Sequence, residues 1–294
     1  MKIYFDMFLF IWLIFSESAS AANQKAITQK GQPAAIGELH QHCINSLMRL
    51  PGNFSKSDLG NACSQSRVLD SCYSVNGNPI YHFQPKAIPR AHQKRILVLG
   101  VMHGDEAEGG SVARRWMERL TRLKSRNKWR VIPILNPDGL KQKTRVNANG
   151  VDINRNFPSK NWNKLAHKYW VTKKNKDPRR NPGPSAASEP ETLCTMRHIK
   201  EFAPHFIVAI HTPYGVLDFD GPKVKVPRFR EIPWVSLGTF PGSLGRFMWN
   251  GQGTPVLTVE LKGSKLLEQI ERMDFLQDIA GTLAIRSSKN IRKR

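Results

Sequence analysis

The sequence predicts an α/β fold, with a mixed but mainly parallel β-sheet flanked by helices. Short apolar runs rich in β-branched residues alternate with longer segments whose apolar residues have helical spacing. Alternation of this kind favours parallel strands joined by helices. Several of the apolar runs end in polar residues, and open α/β sheets place their active sites at the carboxyl ends of strands. The chain has 294 residues, of which 40% are hydrophobic, so it can bury a sizeable core.

The first 21 residues have the features of a secretory signal peptide. Lys2 precedes the apolar segment Met7–Phe15, and the small residues Ala19–Ala21 offer a cleavage site. The apolar segment is short for a membrane span, although Asp6 is unusual in the charged region and leaves a retained anchor as the alternative. No later segment is apolar enough to span a bilayer. We therefore expect a periplasmic or secreted protein.

Because the protein is expected to be exported, its four cysteines can form disulfides. Cys43, Cys63 and Cys72 lie close together in the sequence, and Cys194 lies far from them. In an oxidising compartment we expect one disulfide among the first three, with all three pairings open. None of the four has the C-x-x-C spacing of a metal site, which excludes a cysteine zinc site.

The formal net charge is +22, and removal of residues 1–21 brings it to about +23. Such a charge favours an anionic partner, such as nucleic acid, lipopolysaccharide or an acidic cell-wall polymer. Basic residues concentrate in Lys164–Arg180 and in the tail Lys289–Arg294, which is predicted to be a solvated end. Because the basic stretch has few aromatic residues beyond Tyr169 and Trp170, we do not expect nucleic-acid binding.

Residues 22–71 are predicted to form a helical, cysteine-containing extension, in which residues 22–35 are small and polar. Apolar residues in Ile36–Leu50 have helical spacing, and a second short helix is expected over Leu59–Ser66. The next segment, Tyr73–Phe83, is predicted to be a hairpin with Asn76-Gly77 at its turn.

From residue 72 to about 288 the pattern is typical of one α/β domain. Ser188 is predicted as the N-cap of a helix, with Pro190 in its first turn and Glu191 completing a capping box. Leu140–Asn181 is predicted to be a long basic loop. The predicted strands are Arg95–Val101, Trp129–Leu135, His205–Ile210 and Pro255–Leu261, and the predicted helices are Glu108–Lys124, Ser188–Phe202 and about Lys265–Ile285.

Polar residues at the ends of four predicted strands are expected to form one cluster. His103 and Glu106 follow the first strand, Asn136 the second and His211 the third, while Glu260 ends the last. A carboxylate at the end of an apolar strand is costly unless it is paired or bound to a metal. Imidazole and carboxylate groups are zinc ligands, and a catalytic zinc keeps one position open for water. Taken alone, His211 would more often be a structural histidine.

Seven blocks of sequence carry a resemblance to a known family: His103–Glu106, Asn136–Gly139, Arg145–Pro158, Ser188–Thr192, His211, Pro241–Gly245 and Thr258–Glu260. In these blocks the chain resembles the M14 zinc carboxypeptidases, and within them the murein peptide amidases and DL-carboxypeptidases that act on peptidoglycan stem peptides. The resemblance covers about residues 72–285. It implies a zinc-carboxypeptidase-like sheet with the active site at the strand carboxyl ends.

The resemblance implies one zinc ion per chain, bound by His103, Glu106 and His211 with water in the fourth position. It also implies that Glu260 is the general base. Bound zinc lowers the pKa of a water and polarises the scissile carbonyl. A carboxylate within hydrogen-bond reach completes general acid–base catalysis.

The block Arg145–Pro158 implies further roles. Asp152 matches a carboxylate that orients a zinc-bound imidazole. Asn154 and Arg155 match the pair that holds the free carboxylate of the substrate, which suits a guanidinium fork. Arg145 matches the arginine that steadies the developing oxyanion.

One departure from the family concerns a mobile tyrosine that usually precedes the catalytic glutamate. Thr239–Ser243 offers no tyrosine, and Tyr214 is the candidate to approach the substrate from another side. The departure weakens any direct transfer of classical carboxypeptidase specificity.

We therefore expect an exported zinc-dependent peptidase that hydrolyses an amide bond in peptidoglycan stem peptides. The expected bond joins γ-D-glutamate to diaminopimelate, and Asn154 and Arg155 would recognise a diaminopimelate carboxylate. One alternative is a metallocarboxypeptidase that removes C-terminal residues from proteins or peptides. Another is a non-catalytic cell-wall-binding protein, against which the complete set of four zinc and base residues argues.

Overall fold

Four parallel strands form the centre of the β-sheet in this computed structural model, which describes residues 36–86, 89, 93–230 and 232–291. Each strand is short and its residues are almost all buried, as expected for strands covered on both faces. The central strands are β3 (Arg95–Leu99), β4 (Lys128–Ile132), β5 (Phe206–His211) and β7 (Val256–Glu260).

Antiparallel strands complete the sheet at both edges. β1 (Ser66–Tyr73) and β2 (Pro79–Phe83) form a hairpin beside β4, and β6 (Val216–Asp220) pairs with β7. The predicted hairpin Tyr73–Phe83 is correct for its turn and for β2, but β1 ends where the prediction begins and lies in the extension predicted to be helical. The order of the seven strands is β1-β2-β4-β3-β5-β7-β6. The mixed α/β sheet expected from the sequence is therefore confirmed, with the parallel strands at its centre.

Helices flank this sheet. Leu97 and Leu99 pack in one core with Ile199 and Phe202, and the alternate residues of β3 point to the opposite face. The α-helices are α1 (Ile36–Met48), α2 (Lys56–Ser64), α3 (Ala107–Arg122), α4 (Pro137–Gln142), α5 (Trp162–Lys174), α6 (Pro190–Phe202) and α7 (Ile270–Ile291). Helix α3 packs on β3, β4, β5 and α7, and α6 packs on β1 and β3. Short 3₁₀ segments cover Ile153–Arg155, Pro178–Arg180 and Gly263–Glu268, and a π-helical turn covers Arg246–Asn250.

Two disulfides cross-link elements of the fold. Cys43–Cys63 links α1 to α2, which confirms one bond among the first three cysteines and selects one of the three pairings left open by the sequence. Cys72–Cys194 links β1 to α6 across 122 residues, and the sequence did not predict it.

The structure corrects three expectations about local elements. The predicted loop Leu140–Asn181 contains α5, whose apolar face is narrow because only Trp162 and Ala166 of this helix are buried. Ser188 is not an N-cap: α6 begins at Pro190, and the Ser188 hydroxyl donates to the Glu189 carboxylate instead. Strand β6 was not predicted, because its two aspartates are unusual in a strand.

The predicted signal peptide, residues 1–21, and the polar segment 22–35 lie outside the described residues. Within the predicted basic tail, helix α7 continues to Ile291, and residues 292–294 lie outside the description. The described residues from His40 to Ile291 belong to one compact unit. Among the helices that the structure describes, none has the length and apolar character needed to cross a membrane.

Candidate active site

The carboxyl ends of β3 and β5 bring His103, Glu106 and His211 together. His103 lies in the turn after β3, Glu106 immediately precedes α3, and His211 is the last residue of β5. His103 Nδ1 lies 2.9 Å from Glu106 Oε1, and His211 Nδ1 lies 2.8 Å from Glu106 Oε2. The two Nδ1 atoms are 3.1 Å apart. Three possible metal ligands from two segments of the chain therefore point at one small volume.

These three residues fit a zinc ion. All three are buried, and their ligand atoms lie within 4.8 Å of one another. Two imidazole nitrogens and a carboxylate form a donor set that zinc accepts readily, with room for a fourth ligand. The pKa of Glu106 lies well below its usual range, because the two histidines outweigh the opposing effect of burial. The group is thus poised as a carboxylate, the form that binds a metal.

Asp152 lies behind His103. Its Oδ1 is 3.0 Å from His103 Nε2, the ring nitrogen that faces away from Glu106. Burial opposes ionisation of Asp152, but Arg145 and His103 outweigh it and hold its pKa well below the usual range. An imidazole that donates to such a carboxylate is fixed in orientation and presents its other nitrogen to a metal.

Arg145 braces two of these carboxylates from the side. Its Nε donates to Asp152 Oδ2 and its Nη1 donates to Glu106 Oε1, each at 3.0 Å. Burial lowers the pKa of Arg145, but Asp152 and Glu106 outweigh it and the net shift is upward. The predicted oxyanion partner is therefore held firmly in place, and it also lines the cavity described next.

Glu260 ends β7 directly beside His211, to which it is paired in the parallel register. Its side chain is buried, and Oε2 has no hydrogen-bond partner among the described residues. Burial, the largest effect, and the charge of Glu106 raise the pKa of Glu260, His211 opposes them, and the net value is about 7. A carboxyl group that titrates near neutrality can both accept and release a proton, as a general base must.

A cavity of about 590 Å³ opens over these residues. Its volume is in the range of small-molecule sites. His103, Glu106, His211 and Glu260 line one part of it, and Asn154 and Arg155 line another. The structure therefore places the predicted metal ligands, base and carboxylate-binding pair around one space.

Asn154 and Arg155 are positioned by the 3₁₀ turn that Asp152 caps. Asn154 Oδ1 accepts the backbone N–H of Leu244 at 2.9 Å. Arg155 Nη1 donates to the Asn154 carbonyl, while Arg155 Nε is buried with no partner among the described residues. The guanidinium lies 4.9 Å from the centre of the Phe240 ring.

Gly242 allows the backbone to approach this turn closely. It has a φ of +80°, and a Cβ there would overlap the carbonyl of Arg155. Only glycine satisfies both requirements without strain. This contact fixes the predicted block Pro241–Gly245 against the Arg155 turn.

Comparison with known proteins places these residues in a family. The zinc carboxypeptidase family model, peptidase M14, matches residues 58–219. The chain belongs to the zinc carboxypeptidase family. The match begins before β1, so it includes part of the extension that the sequence blocks did not cover.

Relatives of this zinc carboxypeptidase include murein peptide amidases. Murein peptide amidase A of Escherichia coli K12 is 32% identical over 147 residues, which cover 49% of this chain and only 59% of that protein. The protein of the same name from Vibrio campbellii is 30% identical over 199 residues, covering 64% of this chain and 76% of the relative.

A solved structure shares the fold. The crystal structure of a murein-tripeptide amidase from Escherichia coli O157 matches with a TM-score of 0.55 and 24% identity, covering 74% of this chain and 91% of the other. At this identity the match shows the α/β zinc-carboxypeptidase fold.

Tyr214 lies at the mouth of the cavity in this zinc carboxypeptidase. Its side chain is 61% exposed, and its backbone hydrogen-bonds to Glu260. In the stretch that lacks the family's tyrosine, the Phe240 ring contacts both Arg155 and Tyr169 of α5. Asn136, which the sequence grouped with the cluster, instead accepts from Gly139 N as the N-cap of α4.

Outside the family blocks, sequence reasoning missed five charged residues that line the cavity. Two are acidic and lie on β6, the strand that was not predicted. Three are basic and lie at the end of α5 and in the following 3₁₀ turn, within the predicted loop. A signal existed for the acidic pair, since the sequence V-L-D-F-D alternates as a strand does. The missed residues are Asp218, Asp220, Lys174, Arg179 and Arg180.

Proposed function

We propose that this protein is an exported zinc peptidase that hydrolyses the bond between γ-D-glutamate and diaminopimelate in peptidoglycan stem peptides. The observation that carries the proposal is the shared cavity. It joins a three-residue zinc site and a carboxyl group with one unpartnered oxygen to a buried arginine with a free donor. The names of the murein peptide amidase relatives support the choice of substrate.

His103, Glu106 and His211 would hold the zinc ion, with Asp152 orienting His103. Zinc bound there supplies a Lewis acid that polarises the scissile carbonyl and lowers the pKa of a water ligand. Every other step belongs to side chains of this protein.

Glu260 takes the proton from the attacking water and delivers it to the nitrogen of the leaving amine. The water oxygen bonds to the acyl carbon as the C–N bond breaks, so the products are a free carboxylate and a free amine. The raised pKa of Glu260, about 7, suits both halves of this transfer. Arg145 faces the cavity beside Glu106, where its charge stabilises the negative oxygen of the transition state.

Asn154 and Arg155 fix the substrate by its free carboxylate. The unpartnered Arg155 Nε supports this role, because a buried donor without an acceptor is costly and an arriving carboxylate satisfies it. A peptidase that requires a free carboxylate next to the scissile bond removes terminal residues and leaves internal bonds intact.

Export is part of the proposal. Two disulfides support it, because such bonds persist in oxidising compartments. The N-terminal sequence favours a periplasmic or secreted location, and the high positive charge suits an acidic wall polymer.

The test is incubation of the purified, zinc-loaded protein with muropeptides that carry tri-, tetra- and pentapeptide stems, with products identified by mass. Release of diaminopimelate from the tripeptide alone is the expected result. Cleavage of longer stems as well would assign an endopeptidase. Absence of cleavage, together with hydrolysis of ordinary L-peptides, would replace the proposal with a protein-directed metallocarboxypeptidase.

Two variants separate the roles of the site. Glu260→Gln should keep stoichiometric zinc in elemental analysis and lose turnover, whereas His211→Ala should lose both zinc and turnover. An active Glu260→Gln protein would contradict the mechanism.

A further inference from the structure

Three basic residues line the active-site cavity at the end of α5 and in the 3₁₀ turn that follows it. They are Lys174, Arg179 and Arg180, and the proposed catalytic steps use none of them. Hydrogen bonds hold the turn against α5. The Trp170 indole N–H donates to the Asp177 carbonyl at 2.7 Å, and Asp177 Oδ1 accepts the backbone N–H of Arg179 at 2.9 Å. The fold therefore presents these basic residues to the cavity from a fixed turn.

Arg179 connects this turn to the candidate zinc site. Its Nη2 donates to Asp105 Oδ2 at 2.7 Å, and Asp105 immediately precedes the zinc ligand Glu106. The charge of Arg179 is thus balanced within the protein. Arg180, the next residue, lines the same cavity as Glu106.

Lys174 and Arg180 have no carboxylate partner in the part of the chain that the structure describes. Both residues are partly buried, and the Lys174 ammonium lies 5.7 Å from the centre of the Tyr169 ring. A partly buried cation without a counter-charge is costly, and an anion in the cavity relieves that cost. The two side chains therefore form an anion-binding pair on the cavity wall.

The charge of Arg180 also acts on the carboxylate-binding arginine. Burial, the largest effect, lowers the pKa of Arg155, Asp152 opposes it, and the charge of Arg180 lowers it further. Arg180 and Arg155 are therefore near enough to repel each other in the ligand-free protein. Arg155 takes the free carboxylate of the leaving residue, so the basic pair Lys174 and Arg180 needs a second anion.

A γ-linked glutamyl residue supplies such an anion on the acyl side of the scissile bond. Its scissile carbonyl belongs to the side chain, so its α-carboxylate stays free, whereas most α-linked residues have no carboxylate there. Four bonds separate the scissile carbon from that carboxylate carbon, and the two atoms lie about 5 Å apart when the chain is extended. The second anion thus stays beside the scissile bond, in the cavity that the basic pair lines.

We propose that Lys174 and Arg180 form a subsite for the α-carboxylate of the γ-linked acyl residue. The inference rests on the proposed function and names the group by which the acyl residue is selected. Ammonium and guanidinium groups make charge-assisted hydrogen bonds to a carboxylate. Amidation of this carboxylate turns γ-glutamate into isoglutamine, which keeps the size of the group and removes its charge. The protein therefore selects stems that are not amidated.

The experiment compares two tripeptides, L-alanyl-γ-D-glutamyl-diaminopimelate and its isoglutaminyl counterpart, with the zinc-loaded full chain. We expect the parent protein to prefer the glutamyl peptide by about 20-fold in kcat/KM, because hydrogen bonds to a charged group in a partly buried site are worth more than tenfold. In Lys174→Gln/Arg180→Gln the preference should fall to within about 3-fold, through slower cleavage of the glutamyl peptide alone.

The matched control is Lys168→Gln/Lys173→Gln, which removes two positive charges from exposed positions of α5 outside the cavity lining. It should keep the full preference, and a collapse equal to that of Lys174→Gln/Arg180→Gln would overturn the proposal. Equal cleavage of both tripeptides by the parent protein would also overturn it. So would a parallel loss of both activities in Lys174→Gln/Arg180→Gln with normal zinc content.

A third peptide tests whether the second anion comes from the leaving residue instead. It carries lysine in place of diaminopimelate and so lacks the distal carboxylate. The proposal expects Lys174→Gln/Arg180→Gln to keep the parent's discrimination between these two leaving residues. Loss of that discrimination, with the preference for glutamate over isoglutamine intact, would overturn the assignment to the acyl residue.

Failure of the proposed function gives a different result. In that case neither γ-linked tripeptide is cleaved, and the comparison is made with L-peptides that have glutamate or glutamine before the C-terminal residue. A preference for glutamate that collapses in Lys174→Gln/Arg180→Gln would support the anion subsite without the peptidoglycan substrate. Equal cleavage of these two peptides would overturn it.

Discussion

Arg114 and Arg155 are both buried arginines, yet their surroundings differ completely. The Arg114 guanidinium donates to the carbonyls of Leu47, Leu50 and Pro51 at 2.8–3.0 Å, and more weakly to Gly52. It thereby ties α3 to the end of α1. Arg155 makes a hydrogen bond to the Asn154 carbonyl and stacks on Phe240, while its Nε stays unpartnered among the described residues.

The contrast shows that burial alone does not identify a functional charge. A buried guanidinium whose donors are satisfied by fixed carbonyls stabilises the fold. A buried guanidinium that faces a cavity with one unpartnered donor destabilises the ligand-free protein. Binding of an anion removes that cost. Whether the guanidinium donors all have fixed acceptors therefore distinguishes a structural arginine from a ligand-binding one.

Removal of the Arg155 charge should have the largest effect. In Arg155→Met we expect kcat/KM for a substrate with a free carboxylate to fall about 10³-fold, since loss of one partner of a buried charge pair costs about 2–5 kcal/mol. The free energy of unfolding should stay within about 1 kcal/mol of the parent value, because few fixed partners are lost. Steady-state kinetics and urea unfolding measure the two quantities.

The matching carboxamide substrate serves as the control for Arg155→Met. The parent protein should cleave it poorly, and the substitution should change that rate little. An equal loss on carboxylate and carboxamide would contradict a carboxylate-binding role and make Arg155 structural like Arg114.

Arg114→Met should show the reverse behaviour. We expect the free energy of unfolding to fall by about 3 kcal/mol, because several buried carbonyls lose their donor. The folded fraction should keep kcat/KM within about 3-fold of the parent value, measured well below the unfolding midpoint. An unchanged free energy of unfolding together with a large loss of kcat/KM would contradict a purely structural role for Arg114.

The same contrast extends to carboxylates, with a smaller expected effect. Glu106 is fully partnered, whereas Glu260 is not, and folding raises the Glu260 pKa from 4.5 to about 7. Between these values the native state binds a proton that the unfolded state has released. Its contribution to the free energy of unfolding therefore falls as pH rises from about 4.5 to 7, by about 2 kcal/mol.

Glu260→Gln does not titrate, so it should lack this contribution. The free energy of unfolding is measured with denaturant for the chelator-treated parent and variant at pH 5 and pH 7.5. The parent-minus-variant difference should be smaller at pH 7.5 than at pH 5. Carboxyl groups with lowered pKa values, such as Glu106 and Asp152, act in the opposite direction and are common to both proteins. A difference that is the same at both pH values would contradict the raised pKa.

The fold class, and four of the five residues expected to meet at the sheet edge, follow from the sequence alone. The strands are apolar runs that end in polar residues, and this pattern can be recognised in the sequence. The carboxyl ends of parallel strands lie at one edge of the sheet regardless of loop conformation. His103, Glu106, His211 and Glu260 could therefore be grouped before any coordinates existed. The carboxylate-binding pair came from the family resemblance, since basic residues in a polar loop carry no local signal of burial.

The partners of each polar group, in contrast, depend on how distant segments pack together. The pairing of Cys72 with Cys194 depends on β1 and α6 meeting across 122 residues. The face of β6 and the free donor of Arg155 likewise depend on what packs around them. Local patterns report the periodicity of a segment, whereas a missing counter-charge is a property of its neighbours in space. For that reason Asp218 and Asp220 can be assigned to the cavity only from the pairing of β6 with β7.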